Sequence, residues 1–253
     1  AFPIGANLLA GLWKVYMPGP YHFEAFQLRT RIVATNKGRV VPYRGPWANE
    51  TFMRERAIDA GMKSSLIDLV VVSSDCSNIL QAATGMKGVE LLERPARLAT
   101  DESPTMAVVE HVLETIENKP KQSPFDIVVL LQPTSPLRHH QDVDTAIDTM
   151  VRKGAPSCVS VTRPRHHPEW MVQLGPGDTI KPLALATTAA TRRQDLDAVY
   201  ALNGAVYVAR RDWLIANQGF VGKGTVAYTM PPERSIDIDT SLDLRIAEAL
   251  LST

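Results

Sequence analysis

The chain has 253 residues, enough for one large domain or one domain with an appendage, and its 27 basic and 27 acidic residues give a formal net charge of zero. That balance, without any basic run, argues against a nucleic-acid partner whose affinity comes from neutralising phosphates. No membrane span or secretion signal is visible, and Cys76 and Cys158 are too few and too far apart for a disulfide framework or a zinc site, so a reduced, cytoplasmic compartment is expected.

The first 57 residues differ from the rest of the chain. They contain five prolines and two tryptophans and show no clear strand-helix unit. We therefore predict an atypical N-terminal segment over residues 1–57 and one domain over residues 58–253. The chain opens on Ala1 rather than Met, which predicts a processed, trimmed or incomplete product.

From about residue 66 onward, short β-branched runs alternate with segments of helical periodicity. A helix is predicted to begin at Ser103 and Pro104, which read as an N-cap followed by a first-turn proline. The pattern predicts an α/β fold with a doubly wound, mostly parallel, Rossmann-like sheet, in which ligands bind beyond the carboxyl ends of the strands. The other predicted elements are strands at Leu69–Ser73, Asp126–Leu131, Cys158–Thr162, Ala205–Ala209 and Val226–Met230, and helices at Asp144–Arg152 and Leu242–Leu251.

A polar loop, Gln132–Arg138, leaves the end of the clearest predicted strand and contains two prolines. Gln132, Thr134 and Ser135 supply donors and acceptors suited to a polyhydroxylated ligand. Arg138 could instead cap or anchor the loop, and a plain strand-to-helix turn with local capping is about as probable as a binding loop.

Two aspartates, Asp237 and Asp239, alternate with isoleucines near the C-terminus. On an extended strand alternate residues share a face, so both carboxylates would point the same way, with their Cα atoms about 7 Å apart. Such a pair suits Mg²⁺ held jointly with substrate phosphates, although two solvated acids at a strand end explain the pattern equally well.

Arginines and one glycine complete the candidate set. Arg94 lies in a stretch with two guanidinium groups, which suit phosphate or carboxylate, although a surface arginine is usually only solvated. Arg193 belongs to a basic pair that precedes Asn203 and Gly204, and this glycine permits close approach of the backbone to a ligand.

Taken together, these strings resemble one family, the acylneuraminate cytidylyltransferases or CMP-sialic acid synthetases. The resemblance covers about residues 58–253, and five motifs agree with the family in wording and order. They are Arg94–Asp101, Leu130–Arg138, Arg193–Asp195, Asn203–Tyr207 and Glu233–Thr240.

The resemblance implies a nucleotide-diphospho-sugar transferase-like fold and transfer of CMP from CTP to a nine-carbon 2-keto sugar acid, with release of pyrophosphate. It implies that Asp237 and Asp239 hold Mg²⁺ against the triphosphate and that the protein is a homodimer. Arg193 would pair with the carboxylate of the sugar acid. The positions implied for nucleotide binding are Arg94 and Ser103, and those for the sugar acid are Gln132, Thr134, Ser135, Arg193, Gln194, Asn203 and Tyr207.

The resemblance fails at the N-terminus. The family begins with a strand and a glycine-rich basic loop around the triphosphate, whereas residues 1–57 resemble a fragment of a molybdopterin-binding large subunit of the carbon monoxide and xanthine dehydrogenase type. Loss of that strand would leave unpaired strand edges inside the domain. Arg31–Ala34 could fill the slot, with Asn36–Arg39 as a phosphate loop, although a hairpin turn is about four times more probable there.

Loss of the phosphate-binding loop predicts impaired activity, and two alternatives stay open. The chain could be a non-catalytic remnant that binds the sugar acid or the nucleotide, or that only dimerises. The other alternative is a fragment of a molybdenum hydroxylase subunit, although 57 residues are too few to enclose such a cofactor.

Overall fold

A computed structural model of the chain describes residues 56–100, 102–120, 122–183, 192 and 196–251. The predictions made for residues 1–55, including the strand at Arg31–Ala34 and the loop at Asn36–Arg39, lie outside these ranges. Arg193 and Gln194 lie outside them as well.

Strands and helices alternate along the described chain. The helices are α1 (residues 56–63), α2 (Ser77–Ala82), α3 (Thr105–Glu117), α4 (His140–Arg152), α5 (Arg211–Asn217) and α6 (Ser241–Leu251). The strands are β1 (Val70–Ser74), β2 (Val89–Glu93), β3 (Ile127–Leu130), β4 (Ser157–Thr162), β5 (Val172–Leu174), β6 (Ile180–Pro182), β7 (Ala201–Arg210) and β8 (Val226–Thr229). No helix within these ranges is long and apolar enough to cross a membrane.

The largest sheet has four strands in the order β3-β7-β4-β8. β4 and β8 are parallel, and β7 runs antiparallel to both β3 and β4, so β3, β4 and β8 share one direction. The predicted α/β class is confirmed, with β7 as the exception to the parallel arrangement. A strand buried on both faces has the same apolar run in either direction, so composition could not reveal the reversal.

A second, parallel pair is formed by β1 and β2. Among the described residues, β1 pairs only with β2 and β3 pairs only with β7, so one edge of each strand is unpaired there. α1 packs near β1 and near the end of β3. A Cβ on Gly61 would lie 3.1 Å from Cγ2 of Val70, in β1, and 3.7 Å from Cδ1 of Leu131, just after β3.

Two apolar clusters cover the two faces of the large sheet. α4 contributes Val143, Ile147 and Met150 to the first cluster, at the i, i+4, i+7 spacing of one helix face. α3 contributes Met106, Val109 and Leu113 to the second cluster, which also includes Phe220. These layers hold the sheet rigidly and leave the loops at its strand ends free to form a site.

Three local predictions need correction. α3 begins at Thr105 with Pro104 at the N-cap, and Ser103 makes no capping bond. α4 begins four residues earlier than predicted, because the Asp142 carboxylate accepts a bond from the His139 amide at 2.8 Å and closes the first turn. The predicted extended strand at Asp237 is wrong: a 3₁₀ turn at Pro232–Arg234 is followed by irregular chain.

Candidate active site

The candidate site lies where three chain segments meet at one edge of the large sheet. β3 ends at Leu130, which pairs with Tyr207, and the chain then enters the Gln132–Arg138 loop. Because β7 is antiparallel, the start of β7 rather than its end lies at the carboxyl edge of β3 and β4. The acidic turn, defined here as residues 235–239, follows β8 and reaches the same edge.

Gly204 marks the point of closest approach of these segments. Its φ of 70° is in the left-handed region, which favours glycine. A Cβ at this position would lie 2.7 Å from Gln132 Oε1, 3.2 Å from Asp237 Oδ2 and 3.3 Å from Ser135 Oγ. The glutamine loop, defined here as residues 132–138, and the acidic turn therefore place side-chain oxygens around one backbone position, although they are about 100 residues apart in sequence.

Hydrogen bonds fasten the loop, β7 and the acidic turn to one another. The Ile238 amide donates to the Thr134 carbonyl at 2.8 Å, and Ser135 Oγ donates to the Asn203 carbonyl at 3.2 Å. Asn203 Nδ2 donates to Ser235 Oγ at 2.9 Å. Ser135 and Asn203 are buried, so their side chains support the site from inside, and their predicted contact with substrate stays a prediction.

The two aspartates of the acidic turn have different surroundings. Asp237 is half-buried, and its Oδ1 is enclosed without a hydrogen-bond partner in the described part of the chain. Asp239 is exposed. Within the described ranges, no group of three or more His, Cys, Asp or Glu side chains is placed to hold a metal by itself. The unsatisfied carboxylate oxygen of Asp237 suits a cation that also binds substrate oxygens.

A buried carboxylate, Asp142, ties the acidic turn to α4. It accepts bonds from Arg234 Nη2 at 2.7 Å, Arg234 Nε at 3.1 Å and Tyr228 Oη at 2.8 Å. Burial raises the pKa of Asp142, but the bonds from Arg234, the His139 amide and Tyr228 outweigh it and hold the pKa below its usual value. Sequence reasoning missed this pairing, although Arg234 lies inside a motif it had singled out.

Arg138 anchors the loop, as its position in the sequence allowed. It is 1% exposed and donates through Nη2 to the Gln132 carbonyl. From the other side, Arg56 Nε donates to the Pro136 carbonyl at 3.1 Å. Burial lowers the pKa of Arg138 to about 9, although the charges of Asp237 and Asp142 raise it. The Arg138 side chain is therefore cationic at neutral pH.

The predicted nucleotide-binding residues lie at the carboxyl ends of β1 and β2. Arg94 follows β2 and donates through Nη2 to the Ser73 carbonyl at 2.5 Å, which joins the two strand ends. Ser103 Oγ lies 2.8 Å from Thr100 Oγ1 in the loop before α3. Both lie at an edge where α/β proteins bind ligands, and their nucleotide contact stays a prediction.

Tyr207 is half-buried, and its ring packs against Phe220 at 5.8 Å between centroids, within the second apolar cluster. Burial raises the pKa of Tyr207, and the charge of Asp237 raises it further, so the phenol lies within electrostatic reach of the acidic turn. Its contact with a sugar acid stays a prediction.

Comparison with known proteins decides the family. The CMP-N,N'-diacetyllegionaminic acid synthase of Legionella pneumophila is 30% identical to this chain over 87% of it and 96% of the relative. The chain belongs to the acylneuraminate cytidylyltransferase family. Residues 58–253 make up less than four fifths of the chain, so this match also includes part of the first 57 residues.

Other relatives match a similar share of the chain, and one of them is also named as an N-acylneuraminate cytidylyltransferase. The N-acylneuraminate cytidylyltransferase of Oncorhynchus mykiss is 31% identical over 75% of this chain, although the match spans only 42% of that longer protein. The post-translational flagellin modification protein B of Campylobacter coli is 26% identical over 80% of this chain and 85% of the relative. No family model matches the chain. None of these relatives supports the molybdenum alternative.

Solved structures confirm the fold. CMP:2-keto-3-deoxy-manno-octonic acid synthetase, complexed with CTP, superposes with a TM-score of 0.54 at 15% identity, over 79% of this chain and 87% of that one. The 2-C-methyl-D-erythritol 4-phosphate cytidylyltransferase of Francisella tularensis gives a TM-score of 0.54 at 10% identity, over 78% and 87%. The nucleotide-diphospho-sugar transferase-like fold expected from the sequence is therefore present.

Proposed function

We propose that this chain transfers CMP from CTP to a nine-carbon 2-keto sugar acid of the sialic or legionaminic type and releases pyrophosphate. One observation carries the proposal: Gln132, Asp237 and Ser135 surround Gly204 at the carboxyl edge of the sheet. The family motifs that contain these residues are separate in sequence, and the fold joins them where α/β proteins bind ligands.

The reaction is an in-line displacement at phosphorus. The anomeric hydroxyl oxygen of the sugar acid forms a bond to the α-phosphorus while the bond to the bridging oxygen of pyrophosphate breaks. The hydroxyl proton passes to water, and pyrophosphate leaves with the electron pair of the broken bond. Catalysis of this kind depends on positioning the reactants and neutralising phosphate charge. Gln132 orients the sugar acid from the loop, with Tyr207 and Arg193 as further contacts, and Arg94 and Ser103 approach the nucleotide.

Asp237 and Asp239 would hold Mg²⁺ jointly with phosphate oxygens. The enclosed, unpartnered Oδ1 of Asp237 fits a cation ligand, and Asp239 presents a second carboxylate two residues later. The bound ion would neutralise charge on the triphosphate. The chain's own contribution is to hold the acidic turn rigidly, through the Asp142 clamp on Arg234.

Self-association is the second part of the proposal. The β5–β6 hairpin exposes apolar side chains, with Leu174 71% exposed and Ile180 68% exposed. Exposed apolar side chains concentrated on one hairpin favour burial against another protein surface. A second copy of this chain is the partner that the family resemblance suggests. The cytoplasmic location stays a prediction.

The test of the function uses Asp237→Asn. Wild-type protein is mixed with CTP, Mg²⁺ and N-acetylneuraminic or legionaminic acid, and both pyrophosphate and the CMP-sugar are measured. We expect product with wild type and a fall of at least about 10²-fold with Asp237→Asn, because phosphate charge is no longer neutralised. Asp148→Asn, at an exposed position of α4, is the matched control and should retain the wild-type rate.

Two outcomes would contradict the proposal. Absence of any CMP-sugar at high protein concentration with each sugar acid would remove the catalytic function and leave the binding alternative. A wild-type rate for Asp237→Asn, with product formed, would instead remove the metal role from the acidic turn. Calorimetry with CTP and with each sugar acid then separates binding from catalysis.

A further inference from the structure

Arg138 has a buried guanidinium with fewer hydrogen bonds than a residue that only anchors a loop would need. Its side chain is 1% exposed, yet Nε and Nη1 make no hydrogen bond within the described part of the chain. Only Nη2 is engaged, with the Gln132 carbonyl. Burying an incompletely paired guanidinium is costly, and a well-packed apolar residue often serves structure as well. The positive charge therefore calls for a reason beyond packing.

The nearby carboxylates are not equally available to that charge. Asp142 already accepts two bonds from Arg234, one from Tyr228 and one from the His139 amide. Asp237, in contrast, has an enclosed Oδ1 without a hydrogen-bond partner among the described residues. Of the charges that favour protonated Arg138, Asp237 has the largest effect on its pKa, ahead of Asp142.

Arg138 and Asp237 are also connected through contacts of the glutamine loop. Arg138 holds the Gln132 carbonyl, and the Gln132 side chain and Asp237 Oδ2 flank the same face of Gly204. The Ile238 amide is bonded to the Thr134 carbonyl within the same loop. Displacement of the loop would therefore displace the acidic turn, and the guanidinium is bonded to the first residue of that loop.

We propose that Arg138 is a positioning residue that holds the glutamine loop by its backbone and weakens the attraction of Asp237 for a divalent cation. The inference rests on the proposed metal role of Asp237. With Arg138 in place, the pair of aspartates and the guanidinium sum to one negative charge, so empty protein holds a divalent ion weakly. The site would bind a divalent ion well only together with the substrate phosphates, and would release it readily once pyrophosphate leaves.

The test measures Mn²⁺ binding to nucleotide-free protein by electron paramagnetic resonance of the free ion. Arg138→Met replaces the charged side chain with an apolar side chain of similar length. The variant protein should bind Mn²⁺ about threefold to tenfold more tightly than wild type, because one nearby positive charge is lost. Arg138→Lys keeps the charge and should stay within about twofold of wild type. A merely structural role predicts the opposite sign, since a disordered site binds Mn²⁺ more weakly.

Kinetic readouts separate the two parts of the role. Arg138→Met should be half-saturated at lower Mg²⁺ and should have a lower kcat, because tighter binding of the ion slows its release with pyrophosphate. Its KM for the sugar acid should rise, because the Gln132 carbonyl loses its donor. Arg152→Met, at an exposed position of α4, is the matched control and should change neither Mn²⁺ binding nor the KM.

Asp237→Asn distinguishes failure of this inference from failure of the function. Unchanged Mn²⁺ binding in Asp237→Asn refutes the metal role itself. Lost binding in that variant, with unaltered or weaker binding in Arg138→Met, refutes only the inference. If Arg138→Met does not fold, thermal unfolding of Asp237→Asn decides: loss of the counter-charge to a buried guanidinium should lower its Tm by several degrees, and an unchanged Tm overturns the inference.

Discussion

A single methyl group added at Gly204 should separate the activity of this protein from its stability. In Gly204→Ala the new Cβ would lie 2.7 Å from Gln132 Oε1, so this oxygen has to retreat by about 0.7 Å to reach an ordinary contact of 3.4 Å. Asp237 Oδ2, at 3.2 Å, has to yield as well. Both atoms belong to flexible side-chain ends, so the contacts can be relieved without disrupting the core.

The stability cost then comes mainly from the backbone. A non-glycine residue in the left-handed region costs about 1–2 kcal/mol, which corresponds to a fall in Tm of about 2–8 °C for a domain of this size. The catalytic cost is larger, because displacement of a positioning group by about 1 Å can reduce the rate by about 10²-fold. We therefore expect Gly204→Ala to fold, to melt slightly earlier and to lose most of its activity.

Gly154 provides the matched control. Its φ of 60° is similar, and a Cβ there would have nothing within 4 Å. Gly154→Ala should therefore show the same fall in Tm with an unchanged rate of pyrophosphate release from CTP and sugar acid. Equal activity of the two variants at saturating substrate would show that Gly204 does not border the reacting groups, and the site described above would be refuted.

Three further predictions concern stability, assembly and thiol chemistry. Because the pKa of Asp142 is lowered in the folded state, its stabilising effect is present above its unfolded value near 3.8 and is lost as pH falls through the lower folded value. Asp142→Asn should therefore reduce the free energy of unfolding, measured in urea, by about 3 kcal/mol at pH 7. The difference in this free energy between wild type and variant should become smaller below about pH 4. A difference that does not change with pH would contradict the role of the Asp142 charge. If the β5–β6 hairpin mediates self-association, Leu174→Asp should lower the molecular mass measured by analytical ultracentrifugation. Leu242 is 62% exposed on α6, and the control Leu242→Asp should leave the mass unchanged. Equal masses for the two variants would refute the hairpin interface. Burial raises the pKa of the Cys158 thiol to about 11, so this thiol should not react with Ellman's reagent in the folded protein at pH 8. The reagent should modify half-buried Cys76 in the folded protein, and both thiols only in denaturant. Fast modification of two thiols in the native protein would show that Cys158 is accessible.

The glutamine loop shows how far local sequence reaches. Two prolines after an apolar run predicted a rigid loop at a strand end, and Arg138 was identified as a possible anchor of that loop. The structure confirms the loop at the strand end and its anchoring by Arg138, because such features depend on residues close together in the chain. The rigidity of the loop stays a prediction. The glycine of Asn203-Gly204 was likewise expected to permit close approach of the backbone to a ligand. Its positive φ is a conformation that favours glycine, and the contact with a ligand stays a prediction.

The acidic turn shows where local pattern misleads. Alternating Asp and Ile residues indicated a strand, since a period of two is typical of extended chain. Here the 3₁₀ turn at Pro232–Arg234, the clamp of Arg234 on Asp142 and the bond from Ile238 to Thr134 determine the path instead. These partners are 92 and 104 residues away in sequence, so no local window contains them.

The sequence by itself determined the α/β class, the family motifs and the residue types available for chemistry, because periodicity and short motifs are local properties of the chain. Only the tertiary structure decided that β7 runs antiparallel, that its first residues therefore face the glutamine loop, and that Gly204 is where Gln132 and Asp237 meet. The physical reason is that strand direction and the partners of buried charges depend on packing between distant segments, whose energies no single segment encodes.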